Sequence, residues 1–506
     1  MAGRLATVPE ESADGSTAAY PPRGLYLDLI RSIAVSGAQI RSTLFSHSGE
    51  SGSSYSSGSR TSGSYPSHDS GCSSGSNSGC SAGAVDFGTN ELTKIAQRMV
   101  SDGYTQRIIK AFKYDSDRAL EAWFVELDVD WVLQRREGHT SRQQLQLEDK
   151  SAWSLQELVN KWIRALTVIV MSIKELVESV GEESTVAAVA RFGQASISAM
   201  LVFVDTVVDV YEVEKLQAVL HTYICVSSAS YDIFRIYVIS PKVQSIFKDI
   251  CGSLDRESNK LIGAISTMMK GAGMLLEDND DLWAMEGEIL RGGDVHRNIQ
   301  WLVDYIVLMK KARDSTQKSA QCHNSEKLGE VISDSVDYLK DLLQRKSELC
   351  SDPSLRYLFL LNNSYFIAQM SEPSTLLDIE LLSVHHWGLK HMPECQKHMD
   401  SYLEVSWGHV VSCISTSNFR GLLRRWINTS SLAKFQSAFH KTYQAQKFWK
   451  VPDPQLRSLL RETITKRVIP GYRDYLKGHP ELEKQVSGGS SSPDELEEML
   501  GELFEG

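Results

Sequence analysis

The sequence has few prolines, no long uninterrupted apolar run and no CxxC pair. Its 13 prolines lie mostly at the edges of apolar segments, which leaves long helices uninterrupted. The eight cysteines are spread along the chain, as expected of reduced thiols in a cytosolic protein. The acidic N-terminus lacks an apolar core, so we predict no secretory signal. The longest apolar stretch, ISAMLVFVDTVVDVY, contains Asp205 and Asp209 and predicts a buried helix too short to span a bilayer.

The sequence also lacks the motifs of common enzyme active sites. GxGxxG, GxxxxGK[ST] and HExxH do not occur, and no nucleophile lies in a recognisable elbow. We therefore predict a protein that is not an enzyme, with no catalytic residues, no cofactor and no small-molecule substrate.

One cluster contains side chains that could bind zinc: His385, His386, His391, Cys395 and His398. Zinc takes about four nitrogen or sulfur ligands, and Cys395 could share a helix face with either His391 or His398. Pro393 interrupts that helix or begins a new one. We favour a polar loop that leads into a helix, with no metal bound, and keep a zinc site as the alternative.

Charge is distributed unevenly along the chain. The net charge of −11 argues against a general nucleic-acid binder. Residues 419–484 nevertheless contain fourteen Lys/Arg and five Asp/Glu, a local net charge of +9, and residues 485–506 contribute −6. A basic island on an acidic protein indicates an anionic partner, and a solvated helical surface is the alternative.

Composition and periodicity divide the chain into three regions. Residues 1–45 are an N-terminal segment with a possible short helix; a fragment of a longer element is the alternative. Residues 46–88 are a Ser/Gly-rich linker that we expect to be disordered. Residues 89–506 have apolar residues at helical spacing and no sustained period-two alternation, which predicts an all-α fold. The apolar positions of the possible N-terminal helix are Leu25, Leu29, Ile33 and Ile40.

Two helices with clear start signals are predicted at the C-terminal end. The first begins at Asp453–Pro454, a capping carboxylate followed by proline, and Pro470–Gly471 should kink it. Arg467 falls within its apolar arc, so this side chain must pair or extend to solvent. The apolar stripe of this helix is Leu456, Leu459, Leu460, Thr463 and Ile464.

The second helix begins with the capping box Ser492-Pro493-Asp494-Glu495. A helix this short is marginal alone, so its stripe must dock on the preceding basic helices. The predicted stripe is Leu496, Met499, Leu500, Leu503 and Phe504, with Glu497, Glu498 and Glu502 facing solvent.

These residues resemble the seventy-kilodalton exocyst subunit family, particularly its plant branch. Three long blocks carry the resemblance: FWKVPDPQLRSLLRETITKRVIPGYRDYL, SPDELEEMLGELFEG and DPSLRYLFLLNNSYFI. Weaker blocks are LVNKWIRALTVIV, EKLQAVLHTY and GGDVHRNIQWLVDYI. They occur in the family's order and cover roughly residues 89–506, of which 419–506 would be the C-terminal basic tip with its capping helix.

The resemblance implies an elongated rod of stacked antiparallel helical bundles without catalysis. It implies a cytosolic protein, peripherally at the plasma membrane, that tethers secretory vesicles in exocytosis with other exocyst subunits. It also implies that a basic surface at the tip binds plasma-membrane phosphoinositides. The matching candidates for lipid binding are Lys466, Arg467, Arg473, Lys477 and Lys484, of which Arg467 is the least suited because of its apolar-face position.

Two departures from the family pattern leave two functional hypotheses. The family's longer, coiled-coil-like N-terminal segment is shortened here, and GGSSS at 488–492 replaces a lysine-containing run that contacts lipid. The first hypothesis is an exocyst subunit that tethers secretory vesicles. The alternative is a divergent interaction adaptor that uses the same helical rod outside bulk secretion, for example in defence signalling.

We predict that protease cleaves residues 46–84 first. This segment buries nothing to offset the cost of ordering its backbone, about 1–2 kcal/mol per residue. Limited proteolysis with mass spectrometry should therefore yield a stable fragment that starts near Thr89. Protection of residues 46–84 at protease concentrations that cleave other sites would contradict the prediction.

Overall fold

The computed structural model describes residues 24–35, 87–135, 151–180, 182–278, 292–317, 323–371, 392–414, 424–486 and 491–505. These residues contain sixteen α-helices, two short 3-10 helices and one isolated antiparallel bridge, but no strand. The all-α prediction is therefore confirmed. Of the predicted linker at 46–88, residues 46–86 lie outside the described residues, whereas Phe87 is described and buried.

The helices are long in the middle of the chain and short near its two ends. The first eight are α1 Leu27–Ser32, α2 Thr89–Ser101, α3 Tyr104–Phe112, α4 Ser116–Glu126, α5 Ala152–Ser179, α6 Glu183–Val208, α7 Leu216–Phe234 and α8 Pro241–Asp278. The remaining eight are α9 Arg297–Gln317, α10 His323–Ser347, α11 Pro353–Ser371, α12 Pro393–Ser412, α13 Arg424–Gln446, α14 Pro454–Lys477, α15 Pro480–Val486 and α16 Pro493–Gly501.

The chain divides into two compact units. The first comprises residues 1–40, 53–268 and 311–329, and the second comprises residues 41–52, 269–310 and 330–506.

Helix α5 is the central element of the first unit and packs against α2, α6 and α7. Ser151 caps its start by accepting a hydrogen bond from the backbone of Ser154. Helical spacing of apolar residues predicts a buried face that includes Leu158, Trp162, Ile163 and Leu166, and the last three are buried as predicted. In the second turn, however, Val159 is fully buried while Leu158 is only half-buried, because neighbouring helices cover α5 on more than one side.

Helix α6 contains the apolar stretch that we expected to be too short to span a bilayer. The stretch is part of a longer helix of 26 residues, which by length and composition alone could cross a membrane. Two thirds of its most apolar window is buried inside the protein, including Phe192, Phe203 and Val204. The prediction of a buried helix is confirmed, and the helix packs in the core of the first unit.

Helix α1 confirms a short helix in the N-terminal segment but corrects its buried face. Tyr26 and Ile30 are buried, whereas Leu25 and Leu29 are exposed by 53% and 43%. The apolar spacing of the sequence favoured the leucines. The buried face differs from this expectation because the side chain of Glu126 accepts hydrogen bonds from backbone N–H groups at the start of α1. These bonds fix the rotation of the helix about its axis.

Aromatic side chains form the centre of the second unit. Phe435 stacks on Tyr472 with ring centroids 4.4 Å apart, and Phe439 packs edge-on against Trp407. These contacts join α12, α13 and α14 into one core.

Two adjacent asparagines of α11 fasten a glycine-containing loop to this core. The Asn362 side chain donates hydrogen bonds to the carbonyls of Gly293 and Lys450. Asn363 accepts from the backbone N–H of His296 at 3.0 Å. Three of the sequence blocks that carried the family resemblance therefore meet here, since the buried amides satisfy backbone groups of the loop and of Lys450.

Helix α16 docks on α14 as predicted. Leu496, Leu500, Leu503 and Phe504 are each at most 1% exposed, and Ser492 caps the helix by accepting from the backbone of Glu495. The three glutamates expected to face solvent are exposed. The burial of this stripe fixes the last helix as part of the second unit.

We predict that Leu500→Asp undocks α16. A carboxylate in this buried stripe would lose its hydration without gaining a partner, which should cost several kcal/mol of unfolding free energy. Urea unfolding followed by tryptophan fluorescence would measure the loss. Glu498→Ala is the matched control, because Glu498 is exposed on the same helix. Equal unfolding midpoints for the two variants would show that the stripe is not packed in solution.

Candidate functional site

The candidate site is built on α14. The Asp453 carboxylate caps this helix and accepts hydrogen bonds from the backbones of Gln455 and Leu456 at 2.9 and 2.8 Å, as the sequence predicted. Pro470 lies inside the helix without ending it, so the chain remains helical as far as Lys477. Leu456, Leu460 and Ile464 are buried, which points the remaining faces of α14 away from the core.

Three of the predicted lipid-binding residues lie on one face of α14. Lys466, Arg473 and Lys477 are seven and then four residues apart, which places them within a narrow sector of the helix. At 1.5 Å per residue they extend over about 16 Å. We call these three residues the basic stripe. The structure thus brings together three of the five candidates.

The two lysines of the basic stripe are exposed and each pairs with a neighbouring carboxylate. Lys466 contacts Glu462 one turn earlier, and its side chain is 73% exposed. Lys477 lies 3.6 Å from Asp474, and its side chain is 72% exposed. Exposed pairs of this kind are worth at most about 1 kcal/mol, so an anionic ligand can compete for both lysines.

Arg473 is held more firmly, because α16 provides two carboxylates. Its guanidinium donates to Asp494 at 2.9 Å and to Glu497 at 2.7 Å. The hydrogen bond with Asp494 raises the pKa of Arg473 above its ordinary value. Arg473, Lys477 and Asp494 also line a cleft of about 390 Å³ between the end of α14 and the start of α16. An anion entering this cleft must displace the Asp494 carboxylate.

The other two candidates do not join the stripe. Arg467 lies about a quarter turn away and pairs with Glu404 of α12, which confirms that this side chain must find a partner. Lys484 belongs to the short helix α15, but its side chain lies outside the described residues, as do residues 488–490 of the GGSSS run.

Two arginines that flank the apolar stripe of α14 have structural roles. Arg461 donates to the carbonyl of Leu503 at 2.7 Å, and Arg457 donates to the carbonyl of Val451 at 3.0 Å. Both bonds fasten irregular backbone to α14. The sequence carries no signal for these bonds beyond an arginine flanking a helical stripe.

Two further exposed cations escaped the sequence prediction. Lys434 and Lys441 lie seven residues apart on α13 and therefore share a face. Neither side chain has an ion pair within the part of the chain that the structure describes. Their spacing is the signal that could have found them.

The alternative zinc site gains no support from the described residues. Cys395 is 1% exposed within the aromatic core, and burial raises the pKa of its thiol to about 12, which disfavours the thiolate that zinc requires. His398 is partly buried on the same helix. His385, His386 and His391 lie outside the described residues, and the described ones contain no group of three metal-ligand side chains.

Comparison with curated proteins shows several plant relatives. The chain is 31% identical over 177 residues to "Exocyst complex component EXO70C1" of Arabidopsis thaliana, covering 34% of this chain and 27% of that protein. It is 24% identical over 451 residues to "Exocyst complex component EXO70A1" of the same plant, covering 82% of this chain and 66% of that protein. The matches therefore span less than two thirds of these relatives' own lengths.

Comparison with solved structures finds the Saccharomyces cerevisiae protein described as "Exocyst Component Exo70p". The sequence identity is 13% and the TM-score is 0.40, over 82% of this chain and 80% of that one. The family pattern for the C-terminal part of the "Exo70 exocyst complex subunit" matches residues 160–502, well over half of the sequence and including α14, α16 and the basic stripe. The chain therefore belongs to the Exo70 exocyst subunit family.

Proposed function

We propose that this protein is a non-enzymatic exocyst subunit that helps to tether secretory vesicles to the plasma membrane in exocytosis. The family match over residues 160–502 carries this proposal. The relatives at 31% and 24% identity are themselves described as exocyst complex components. The partners are other exocyst subunits, with no nucleic acid and no small-molecule substrate, and the protein acts from the cytosol, peripherally at the membrane.

Recovery of other exocyst subunits with the tagged chain tests this proposal. We expect affinity purification from plant cells, followed by mass spectrometry, to enrich those subunits over a tagged control protein of similar size and charge. The Leu500→Asp variant, whose lesion is confined to α16, is expected to retain subunits that bind elsewhere. Purification of the intact chain without any other exocyst subunit would contradict the proposal.

We further propose that the basic stripe gives weak contact with plasma-membrane phosphoinositides. Lys466 and Lys477 support this because they are exposed and their carboxylate partners compete only weakly. Each basic residue near an anionic membrane contributes on the order of 1 kcal/mol, so binding by this stripe is weak and decreases with salt. Arg473 contributes only when α16 releases it.

We predict that Asp494→Asn with Glu497→Gln strengthens binding to phosphoinositide-containing liposomes several-fold. The double change removes both carboxylates that hold Arg473 and leaves the guanidinium available to the headgroup. The matched control is Glu495→Gln with Glu498→Gln, which changes net charge equally on the same helix without touching Arg473. Liposome co-sedimentation at low salt would measure both.

The opposite change should weaken binding. Charge reversal at Lys477 and Lys484 together is expected to reduce co-sedimentation at least about tenfold, since two favourable charges become unfavourable. The thermal melt should change little, because Lys477 is exposed. Two results would contradict the proposed lipid contact: no co-sedimentation of the wild-type chain with anionic liposomes even at low salt, or unchanged binding by the charge-reversal variant. Either would show that the basic stripe is a solvated helical face.

A divergent adaptor outside bulk secretion, for example in defence signalling, is the second candidate function. The pairing of all four described lipid-binding candidates with carboxylates favours it, because a surface specialised for lipid would leave its cations available. Absence of both liposome binding and exocyst subunits would support this candidate.

A further inference from the structure

The first unit holds residues 24–33 by both ends of α1. At the start of the helix, the buried Glu126 carboxylate accepts hydrogen bonds from the backbone N–H groups of Gly24, Tyr26 and Leu27. At the other end, Arg164 donates to the carbonyl of Ile33 at 2.8 Å and to that of Arg31 at 3.2 Å. These backbone groups have no partner within so short a helix.

The charges at the two ends match the polarity of a helix. A carboxylate lies where the exposed N–H groups carry partial positive charge, and a guanidinium lies where the carbonyls carry partial negative charge. Glu126 belongs to α4 and Arg164 to α5, so the folded first unit fixes their separation. That separation suits a helix of about two turns. The hydrogen bonds at both ends are made with backbone groups, which a helix of any sequence carries.

Between these ends, side chains of the segment also contact the first unit, and the Arg31 guanidinium pairs with Asp128 at 2.6 Å. Tyr26 and Ile30, one turn apart, are 4% and 1% exposed. The Tyr26 hydroxyl donates to Asp102 at 2.7 Å. Ile33 packs so closely on Gly88, where φ is +65°, that any Cβ there would collide with it. The remaining face, with Leu25 and Leu29, is exposed.

The covalent connection between the segment and α2 is long. Residues 36–86, rich in Ser and Gly, separate it from α2. Fully extended, these 51 residues could reach about 170 Å. The segment and Gly88 are in contact, so the distance to be crossed is far shorter. Contacts alone therefore decide whether the segment stays.

We propose that the first unit carries a receptor for a short helix and that residues 24–33 of the same chain are its displaceable occupant. The receptor consists of Glu126, Arg164, Asp102 and the surface around Gly88. Its ligand class is a two-turn amphipathic helix with apolar side chains four residues apart. Because the segment is tethered, it competes with any free helix at an effective concentration on the order of millimolar.

A labelled synthetic peptide of residues 23–35 tests the proposal on the full-length chain. Ile30→Asp in the chain should release its own segment and leave the receptor intact, so fluorescence anisotropy should show at least tenfold tighter peptide binding than with wild type. Adding Glu126→Ala or Arg164→Ala to that chain should remove the gain. Leu29→Asp is the matched control and should behave like wild type, since Leu29 is exposed.

Three results would overturn the proposal. The first is an Ile30→Asp chain that keeps its cooperative melt but binds the peptide no better than wild type. The second is equal binding by the Leu29→Asp chain. The third is a concentration-dependent dimer in light scattering that Ile30→Asp abolishes, because the occupant would then come from a second copy.

A nicked chain keeps the test decisive if Ile30→Asp fails to fold. A specific protease site inserted near residue 60 of the full-length protein allows the segment to be cut free after folding. The nicked wild-type chain should release the segment on dilution and take up labelled peptide. A nicked chain that retains its segment in excess peptide would show that residues 24–33 are an integral part of the fold, which overturns the proposal.

Discussion

Short helices depend on distant charged side chains to satisfy their free backbone groups, and this constraint recurs in both units. A helix of one to three turns leaves most of its N–H and C=O groups without internal partners, and burial without partners is costly. Glu126 and Arg164 supply the partners for α1. Arg461 supplies one for the backbone that follows α16. In each case a side chain on another packed helix supplies the charge, so the short element finds its partners only in the folded unit.

At the candidate site, helix α16 contributes both to the packing of the second unit and to the neutralisation of a basic side chain. Helix α16 docks through a buried apolar stripe and presents Asp494 and Glu497 to Arg473. The helix that completes the core of the second unit therefore also reduces the charge available on the basic stripe. Lys466 and Lys477, whose partners are local and exposed, remain accessible.

Much of the local structure was predictable from the sequence, because the responsible interactions are local. Asp453 and Ser492 begin their helices through hydrogen bonds to backbone groups two or three residues away. The stripe from Leu496 to Phe504 is buried as its spacing predicts. The need of Arg467 for a partner followed from its position in an apolar arc, although the partner itself, Glu404, could not be named. At the basic stripe, the family resemblance named the three cations, but only the structure shows that they share one face of α14 and that α16 holds Arg473.

The sequence alone determined the helical class, the helix starts, the basic and acidic segments and the family, since each depends on neighbouring residues or on ordered blocks of sequence. Tertiary structure decided which face of α1 is buried, because Glu126 and Arg164 lie about a hundred residues or more away and act on backbone groups common to every sequence. It also decided that Asn362 and Asn363 fasten the loop at Gly293 and that Arg461 fastens Leu503. Such contacts leave no periodic pattern, since only the packing of distant helices brings their partners together.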